Sequence, residues 1–406
     1  MRILLTTVKA PERSPFSILE KIQPMGIGVL VSILKNEGHE ICFFDPYTDP
    51  KDTFDLYYLI FHKIDVIGIY ICTMCWKEIL ELLEKIQTYK DNGWNGKVIV
   101  GGPHTYAHNK QSDYPKIVDH VVVGEAELVI NDLIVNGSPD RIIFGNNPTN
   151  LDDLPIASYE IFEGKPYLGY GSGGQVYAIS TSRGCPHNCI FCSSSSATGR
   201  HYRWLSAERM IEHIRFIEER YKIGYLQFRE NNFCVNNQRV YEFCKLYIEL
   251  GFKYPWYAEG SVKDLSLELL QEMKNAHCSG IYIGFESASE RILDVIKPGL
   301  KHGFTPEKNE QVANWCNQVG LRMFATYLIG LPFEEEVDIQ KTVDFVKKFN
   351  SNGTNWFCVY VGIPGSRLYD DVKDLWHQDD IGLRYGPHHN ELCKRFYGEY
   401  AERSMI

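Results

Sequence analysis

The chain has 406 residues, of which 44% are hydrophobic and 23% charged, and its formal net charge is −10. This length can bury a large core and favours two domains of ordinary size. The acidic balance disfavours a nucleic-acid groove, because such a groove needs a basic surface to displace counterions from phosphates. No nucleic-acid partner is therefore expected.

Neither a membrane span nor an export signal is visible in the sequence. No apolar run approaches the roughly 20 residues of a transmembrane helix, and the N-terminus MRILLTTVKAPE lacks the apolar core of a signal peptide. A cytoplasmic location is predicted. Disulfides are not expected in that location, so most of the 12 cysteines are interpreted as small buried hydrophobic residues.

Short apolar runs alternate with amphipathic stretches in the first third of the chain. MGIGVLVSILKNEG and WKEILELLEKIQTYKDNG have apolar residues at helical spacing, and each ends at a glycine. Such a βα repeat predicts a doubly wound, Rossmann-like parallel sheet over residues 1–144. The runs interpreted as its strands are RILLTT (2–7), HEICFF (39–44), DVIGIYI (65–71), KVIVGG (97–102) and HVVVGE (120–125).

Residues 145–175 are rich in Gly, Pro, Asn and Asp, show no sustained period and are interpreted as a linker. Strand and helix patterns alternate again over residues 176–362, where six strands predict a partial (β/α)6 TIM-type barrel. Residues 363–406 form a C-terminal extension. The six strands are predicted at VYAISTS (176–182), YLQFRE (225–230), PWYAEG (255–260), GIYIGFE (280–286), RMFATYLIG (322–330) and TNWFCVYVG (354–362).

Three cysteines, Cys185, Cys189 and Cys192, directly follow the first strand of this barrel, where ligands of parallel α/β folds bind. Three thiolates can hold one soft metal centre, but structural zinc normally takes four ligands. A short loop strains to point His187 and three thiolates at one ion. The surrounding run is polar, which argues against a chance group of buried cysteines. An iron–sulfur cluster is favoured, since thiolates are its standard ligands and three leave one iron open.

The pattern Cys-x-x-x-Cys-x-aromatic-Cys in this context resembles the radical S-adenosylmethionine superfamily. The resemblance implies that Cys185, Cys189 and Cys192 bind a 4Fe-4S cluster whose free iron chelates S-adenosylmethionine. It also implies an electron donor such as flavodoxin or ferredoxin, whose electron cleaves the cofactor to a 5′-deoxyadenosyl radical. Phe191 would hold the aromatic position beside the adenine.

Two later stretches match the same superfamily. GIYIGFESASERILDVIKPG resembles its glycine-then-Glu-Ser pattern, in which Glu286 would hydrogen-bond S-adenosylmethionine. The alternative for Glu286 is a solvated carboxylate that stabilises a helix dipole. YLIGLPFEEE matches the segment that lies near the adenine, with Leu331 and Pro332 at the contact.

FRENNF departs from the superfamily pattern, which more often reads Phe-Asp-Asp-x-Phe. Arg229 and Glu230 replace the expected acidic pair. Glu230 can still bind the ribose or the amine of S-adenosylmethionine. For Arg229 the alternatives are a substrate carboxylate or an ion pair with Glu230 or Glu259.

A five-stranded βα domain joined to such a barrel resembles the cobalamin-binding branch of the superfamily, and this resemblance covers nearly the whole chain. MGIGVLVSILKNEGHEICFFD, GGPHTY and VVVGEAE stand where that branch has characteristic glycines. Gly101 and Gly102 would let the backbone approach a flat ligand or its nucleotide tail, and Gly124, beside Glu125, would do the same one strand over.

The Asp-x-His-x-x-Gly motif that supplies a cobalt ligand in other cobalamin proteins is missing from the first βα loop, TTVKAPERSPF. The lower face of cobalamin would instead meet the loop ICTMCWKE, with Thr73, Cys75 and Trp76 as candidates. The alternative for Trp76 is a core residue at a helix start. His104 is a further candidate, and its alternative is a loop histidine that forms a hydrogen bond.

Three hypotheses for function follow, of which the resemblance implies the first two and the third lies outside catalysis. With cobalamin, the enzyme would methylate an unactivated carbon of a metabolite, natural product or peptide. Without cobalamin, it would carry out radical dehydration, deoxygenation, decarboxylation or epimerisation of a metabolite. The third hypothesis is a non-catalytic iron–sulfur or cobalamin sensor, or a structural zinc protein.

Overall fold

The computed structural model of the chain comprises two compact units, Met1–Tyr170 and Gly171–Met405. Among the described residues, every helix is too short or too polar to span a membrane. The structure describes residues 1–8, 23–46, 54–165, 167, 175–298, 303–349, 353–379 and 383–397.

The first unit contains a parallel sheet in the strand order β2-β1-β3-β4-β5-β6. The order reverses at β1, which pairs with both β2 and β3 and thereby creates the switch point of a doubly wound fold. The strands are β1 Arg2–Thr6, β2 Glu40–Phe44, β3 Val66–Tyr70, β4 Lys97–Gly101, β5 His120–Val123 and β6 Ile142–Phe144. The helices are α1 Met25–Asn36, α2 Leu56–Phe61, α3 Trp76–Asp91, α4 His104–Ala107 and α5 Ile130–Asn136.

Both faces of this sheet are covered, which explains why its strands are almost continuously apolar. Ile79 and Leu83 of α3 belong to the core on one face, and Val31 of α1 and Leu133 of α5 to the core on the other. The doubly wound prediction is confirmed, but the expected number of five strands is wrong. The sixth strand, β6, has three residues, too few to display a period of two in the sequence.

The stretch interpreted as a linker contributes to the first unit. It forms two 3₁₀ turns, Leu151–Asp153 and Tyr159–Phe162, and the side chain of Phe162 is buried. The Ser158 amide donates to the carbonyl of Gly28 in α1 at 3.0 Å. A stretch without sequence periodicity thus packs on a helix of the sheet.

The second unit contains a parallel six-stranded sheet in the order β14-β13-β12-β11-β10-β7, which confirms the partial-barrel prediction. Its strands are β7 Val176–Ile179, β8 Ser182–Arg183, β9 Arg203–Trp204, β10 Tyr225–Phe228, β11 Trp256–Gly260, β12 Cys278–Glu286, β13 Arg322–Ile329, β14 Gly353–Val359, β15 Val361–Gly362, β16 His377–Gln378 and β17 Arg384–Tyr385. Its helices are α6 Ser194–Thr198, α7 Ala207–Glu218, α8 Asn237–Glu249, α9 Leu267–Asn275, α10 Glu290–Ile296, α11 Pro306–Val319, α12 Glu336–Lys348, α13 Arg367–Asp371 and α14 His389–Tyr397.

Local capping explains where the main helices of this unit begin. The side chains of Ser206, Asn236 and Ser266 each accept a hydrogen bond from a backbone amide three residues further on. Thr305 does the same before α11, which has proline at its first position. These caps satisfy amides that otherwise have no partner inside the helix.

An aromatic core supports the early strands of the barrel. Trp256 is fully buried, and its indole nitrogen donates to the carbonyl of Ala276 at 2.6 Å. The rings of Phe228, Phe233 and Phe243 lie 5.3, 5.8 and 5.6 Å from the Trp256 ring. The same side chain therefore fills the core and satisfies a buried carbonyl.

The C-terminal extension includes ordered structure that packs on the barrel sheet. Strands β15, β17 and β16 form a small antiparallel sheet. In α14, Phe396 packs on Phe357 with ring centroids 4.8 Å apart, and the Tyr397 hydroxyl accepts a hydrogen bond from the Val359 amide. Helix α14 thus covers the edge strand β14.

We expect Trp256→Phe to lower the free energy of unfolding by about 1–3 kcal/mol, because it leaves the Ala276 carbonyl without its donor and removes buried volume. Urea unfolding followed by circular dichroism measures the change. The control is Trp204→Phe, whose indole is 42% exposed and whose replacement is expected to change stability by less than about 0.5 kcal/mol. Equal effects of the two substitutions would contradict this account of the core.

The turn after β13 contains a carboxyl group in a poorly solvated position. Glu334 accepts hydrogen bonds from the amides of Gly330 and Leu331, the first at 2.5 Å and the second at 3.3 Å. Burial nevertheless raises the pKa of Glu334 to about 7. The protonated form is therefore favoured by folding.

The folded chain binds the Glu334 proton more tightly than the unfolded chain does. The bound proton therefore stabilises the fold fully below pH 4.5, and this stabilisation is lost as the pH rises through about 7. We expect Glu334→Gln to reduce the loss of stability between pH 5 and 8 by about 1–3 kcal/mol. Urea unfolding at several pH values tests this. Glu249→Gln, at an exposed site, is the control, and parallel pH profiles for wild type and Glu334→Gln would refute the prediction.

Candidate functional site

The three-cysteine loop of the second unit begins and ends on a short ribbon. Strand β8 pairs antiparallel with β9, so that Arg183 lies opposite Arg203. Between them, Gly184 has φ +84°, and a Cβ there would lie 2.3 Å from the carbonyl oxygen of His201. Only glycine fits this position, which directs the chain from β8 into the loop.

Backbone hydrogen bonds attach the middle of this loop to the rest of the unit. The Ile190 amide donates to the carbonyl of Ile296 in α10 at 2.9 Å, and the Ile190 carbonyl accepts from Leu368 of α13 at 2.8 Å. The Ile190 side chain is buried. The cysteines on either side are thus carried by a fixed backbone.

The three thiols influence one another electrostatically. Burial raises the pKa of Cys189 to about 12 and also raises the pKa of Cys185. The charge of Cys192 raises both values further, and the Lys297 cation opposes the shift. Free thiolates are disfavoured in this environment, so a metal centre bound there displaces protons.

The geometry fits a cluster better than a single zinc ion. No three His, Cys, Asp or Glu side chains among the described residues converge closely enough to hold one ion. His187, the candidate fourth zinc ligand, instead lies with Nε2 at 2.8 Å from the Asp264 carboxylate. An iron–sulfur cluster offers a separate iron to each thiolate, so its ligands need not converge on one point.

Glu286 and Lys297 form a buried ion pair near the cysteine loop. Glu286 ends β12 with a left-handed φ of 67°, and its carboxylate lies 3.5 Å from Lys297 Nζ. Burial raises the Glu286 pKa, while Lys297 lowers it. The Lys297 ammonium lies 3.9 Å from the ring centroid of Phe304. Glu286 is therefore not a solvated helix-start carboxylate.

Glu230 lies in a buried polar network at the base of the cysteine loop. Its side chain is fully buried, accepts hydrogen bonds from the hydroxyls of Thr181 and Ser182, and lies 3.6 Å from Arg239. Arg239 also donates to the carbonyls of Thr181 and Phe233. The Glu230 carboxylate thus has protein partners that fix the residues leading into the loop.

Arg229 forms an ion pair with Glu259, one of the partners considered from the sequence. Their charged atoms lie 3.3 Å apart, and the two side chains are 35% and 27% exposed. Arg229 follows β10, and Glu259 lies in β11, the neighbouring strand. The pair is therefore accessible at the strand ends, unlike buried Glu230.

Two of the residues expected near the adenine, Phe191 and Leu331, belong to one apolar cluster. Phe191 packs against a buried group that includes Ile190 and Leu331. Pro332 and Ile190 line the same groove of about 400 Å³. Gly330, with φ +77°, turns the chain from β13 into this segment. The structure thus brings Phe191, Leu331 and Pro332 into one neighbourhood.

The carboxyl edge of the first unit contains glycines in conformations that other residues rarely adopt. Gly102 has φ +128° and Gly124 φ +101°, directly after β4 and β5. A Cβ at Gly102 would lie 2.5 Å from the Ile71 carbonyl oxygen, whereas a Cβ at Gly101 would meet nothing closer than 3.5 Å. Glu125, the next residue, is partly buried. Gly102 thus allows the backbone of the neighbouring Ile71 to approach closely at the carboxyl edge of the sheet.

The aromatic side chains at this edge stack on one another. His104 is buried between Trp76 and His108, with ring centroids 4.2 Å apart on each side. Its Nδ1 lies 3.2 Å from the hydroxyl of Thr73, and burial lowers its pKa to about 3. His104 is thus a neutral histidine in a hydrogen bond. Trp76 is partly buried against the core of the sheet.

Cys75, a candidate from the sequence, lies beside a second cysteine, Cys72, that was not predicted as part of the site. The two sulfur atoms share a hydrogen bond at 3.1 Å, in the turn between β3 and α3. This hydrogen bond lowers the pKa of Cys72 and raises that of Cys75. The spacing Cys-x-x-Cys beside a βα unit was the signal that could have identified the pair.

Two family models match the chain, one in each unit. The B12 binding domain matches residues 16–134, and the radical SAM superfamily matches residues 179–346. The radical SAM domain implies a 4Fe-4S cluster and S-adenosylmethionine, and the B12 binding domain supports cobalamin as a cofactor.

Curated relatives cover most of the chain. An uncharacterised methyltransferase of Pyrococcus horikoshii is 28% identical over 369 residues, which are 86% of this chain and 78% of the relative. The bacteriochlorophyllide d C-8(2)-methyltransferase of Chlorobaculum tepidum is 24% identical over 370 residues, which are 86% and 76% of the two chains.

Two solved structures share the fold. The cobalamin-dependent radical enzyme OxsB, with aqua-cobalamin and S-adenosylmethionine bound, matches with a TM-score of 0.69 at 17% identity over 92% of this chain. This chain covers only 55% of OxsB, about half of its length. The radical methyltransferase TsrM of Kitasatospora setae matches with a TM-score of 0.69 at 15% identity, over 91% of this chain and 75% of TsrM.

The two domains occur in the same order as the two units of the fold, and the three-cysteine loop lies inside the radical SAM match. The chain therefore combines a B12 binding domain with a radical SAM superfamily domain, as the resemblance in its sequence implied.

Proposed function

We propose that this protein is a cobalamin-dependent methyltransferase that acts on an unactivated carbon of a small molecule or peptide. The observation that carries the proposal is the presence of two cofactor-type edges in one chain. One is the three-cysteine loop that follows β7 and β8. The other is the sheet edge after β4 and β5, where Gly102 and Gly124 have positive φ. Curated relatives named as methyltransferases support the same reaction class.

In the second unit, Cys185, Cys189 and Cys192 would hold the cluster. When bound, the cluster and S-adenosylmethionine supply a carbon-centred radical, and cobalamin supplies the methyl group. The neighbourhood of Phe191 and the segment at Leu331 and Pro332 would receive the adenine, supported by the apolar cluster that Phe191 and Leu331 share and by the groove that Pro332 lines.

Two carboxylates of the second unit would have different roles. Glu286, held beside Lys297, would meet the polar end of S-adenosylmethionine. Glu230 would position the cysteine loop rather than bind cofactor, because its carboxylate is already engaged by Thr181, Ser182 and Arg239. A small electron-transfer protein such as flavodoxin or ferredoxin would supply the electron.

In the first unit, Gly101, Gly102, Gly124 and Glu125 would line the approach of the corrinoid or its nucleotide tail. Thr73, Cys75 and Trp76 would lie toward its lower face. His104 would support this surface through its stack on Trp76 and its hydrogen bond with Thr73.

The experiment that tests the function is anaerobic reconstitution with iron, sulfide and hydroxocobalamin, followed by desalting and incubation with S-adenosylmethionine and a reductant. Retained corrinoid together with release of 5′-deoxyadenosine and S-adenosylhomocysteine is the expected result. A cluster and 5′-deoxyadenosine without retained corrinoid would overturn the methyltransferase proposal in favour of radical chemistry without cobalamin.

Replacing Cys185, Cys189 and Cys192 together by Ala is expected to lower bound iron at least about tenfold and to abolish the visible cluster band, since each thiolate ligates one iron. Iron analysis and absorption spectra measure both. Cys244→Ala, at a fully buried site in α8, is the matched control and should retain iron. Unchanged iron in the triple variant would refute the cluster assignment.

Gly101→Val is expected to weaken hydroxocobalamin binding at least about tenfold while the unit stays folded, because the backbone tolerates a Cβ there but the edge becomes narrower. Equilibrium dialysis measures the binding, and thermal unfolding checks the fold. Gly26→Ala, on α1 where a Cβ meets nothing within 4 Å, serves as control. Undiminished binding by a folded Gly101→Val would remove Gly101 from the proposed site.

A further inference from the structure

The first unit contains a pair of cysteines that the proposed methyl transfer does not use as a pair. Cys72 is half-buried and Cys75 is buried, and their sulfur atoms lie 3.1 Å apart. A disulfide requires about 2.05 Å between the sulfur atoms, so the two must approach by only about 1 Å.

The local backbone favours this close approach. The Cys75 amide donates to the Cys72 carbonyl at 3.1 Å within a 3₁₀ turn, which brings the two Cβ atoms to the same side of the chain. The turn runs directly from β3 into α3, a helix of 16 residues. Cys-x-x-Cys beside a βα unit is the arrangement of thiol–disulfide exchange sites.

We propose that Cys72 and Cys75 are a thiol–disulfide exchange site that reacts reversibly with small disulfides such as oxidised glutathione. The Cys72 thiolate attacks one sulfur of the small disulfide and releases one thiol. The Cys75 thiolate then attacks Cys72 in the mixed disulfide, forms the Cys72–Cys75 bond and releases the second thiol. Two electrons pass from the cysteine pair to the small disulfide, and the two protons leave with the two thiols formed.

The surroundings make the two cysteines unequal. Cys72 is the more exposed, and the hydrogen bond between the thiols lowers its pKa, whereas Cys75 is only 3% exposed. Cys72 is therefore the attacking residue and Cys75 the resolving residue. The other buried cysteines differ, since Cys244 and Cys316 are fully enclosed in helices.

The pair can be followed separately from the cluster cysteines. Trypsin releases residues 64–77 as a peptide in which Cys72 and Cys75 are the only cysteines. The full-length, cluster-reconstituted protein is equilibrated with glutathione at several ratios of reduced to oxidised form, free thiols are alkylated, and the peptide is analysed by mass spectrometry. The expected product under oxidising ratios is the peptide two hydrogen atoms lighter, and reducing ratios restore the dithiol.

Single variants test the order of attack. Cys75→Ser is expected to accumulate glutathione on Cys72 at least about tenfold faster than Cys72→Ser does on Cys75, since Cys72 is half-buried whereas Cys75 is only 3% exposed. Cys42→Ser, at a half-buried site on β2, is the control and should leave the pair unchanged. Equal modification of the two single variants would overturn the assigned order.

A peptide that stays a dithiol at every ratio in the folded protein, but forms the disulfide after unfolding in guanidinium, would overturn the exchange site itself. This outcome is independent of the methyltransferase proposal, because neither cobalamin nor S-adenosylmethionine is needed for the measurement. The two proposals can therefore fail separately.

Discussion

The buried pair of Arg239 and Glu230 is the interaction on which the geometry of the barrel site depends. Both side chains are almost completely enclosed, and removal of either partner would leave a charge in a medium that solvates it poorly. The hydroxyls of Thr181 and Ser182, the residues that lead into the cysteine loop, donate to the Glu230 carboxylate, and Arg239 donates to Thr181. A charge pair in the core thus determines where the loop leaves the sheet.

In both units the candidate ligand site lies at the carboxyl edge of a parallel sheet, but the residues at that edge differ between the units. In each, parallel strands deliver their carboxyl ends to one edge, where backbone amides and side chains are not covered by helices. The second unit equips that edge with thiols and a buried Glu286–Lys297 pair, which suits a charged metal centre and cofactor. The first equips it with left-handed glycines and neutral aromatic rings, which suit a broad, flat ligand.

The hydrophobic periodicity of the sequence predicted most strands and helices of the fold. Buried strands and capped helices are local features, so the order of elements and the position of the cysteine loop could be predicted. Strand β6 was missed because three residues display no period, and the stretch near Tyr159 resembled a linker because irregular backbone can still pack on a helix.

The site was less predictable because its partners are distant in sequence. Arg239 lies in α8, and only the folded chain brings it to Glu230. The local sequence FRENNF therefore gave no indication that the Glu230 side chain is buried. The enclosure of His104 likewise requires three elements to meet. By contrast, the Cys72–Cys75 pair depends only on residues three positions apart, so its Cys-x-x-Cys spacing could have predicted it.

The attachment of Ile190 to α10 and α13 has a consequence for assembly. In small zinc domains the metal supplies the folding energy, so the apo form is unfolded. Here the loop backbone is already held by protein hydrogen bonds on both sides of Ile190. The groups that hold the loop backbone and the thiols that would bind the cluster are thus separate, so a change to the thiols leaves the hydrogen bonds of Ile190 in place.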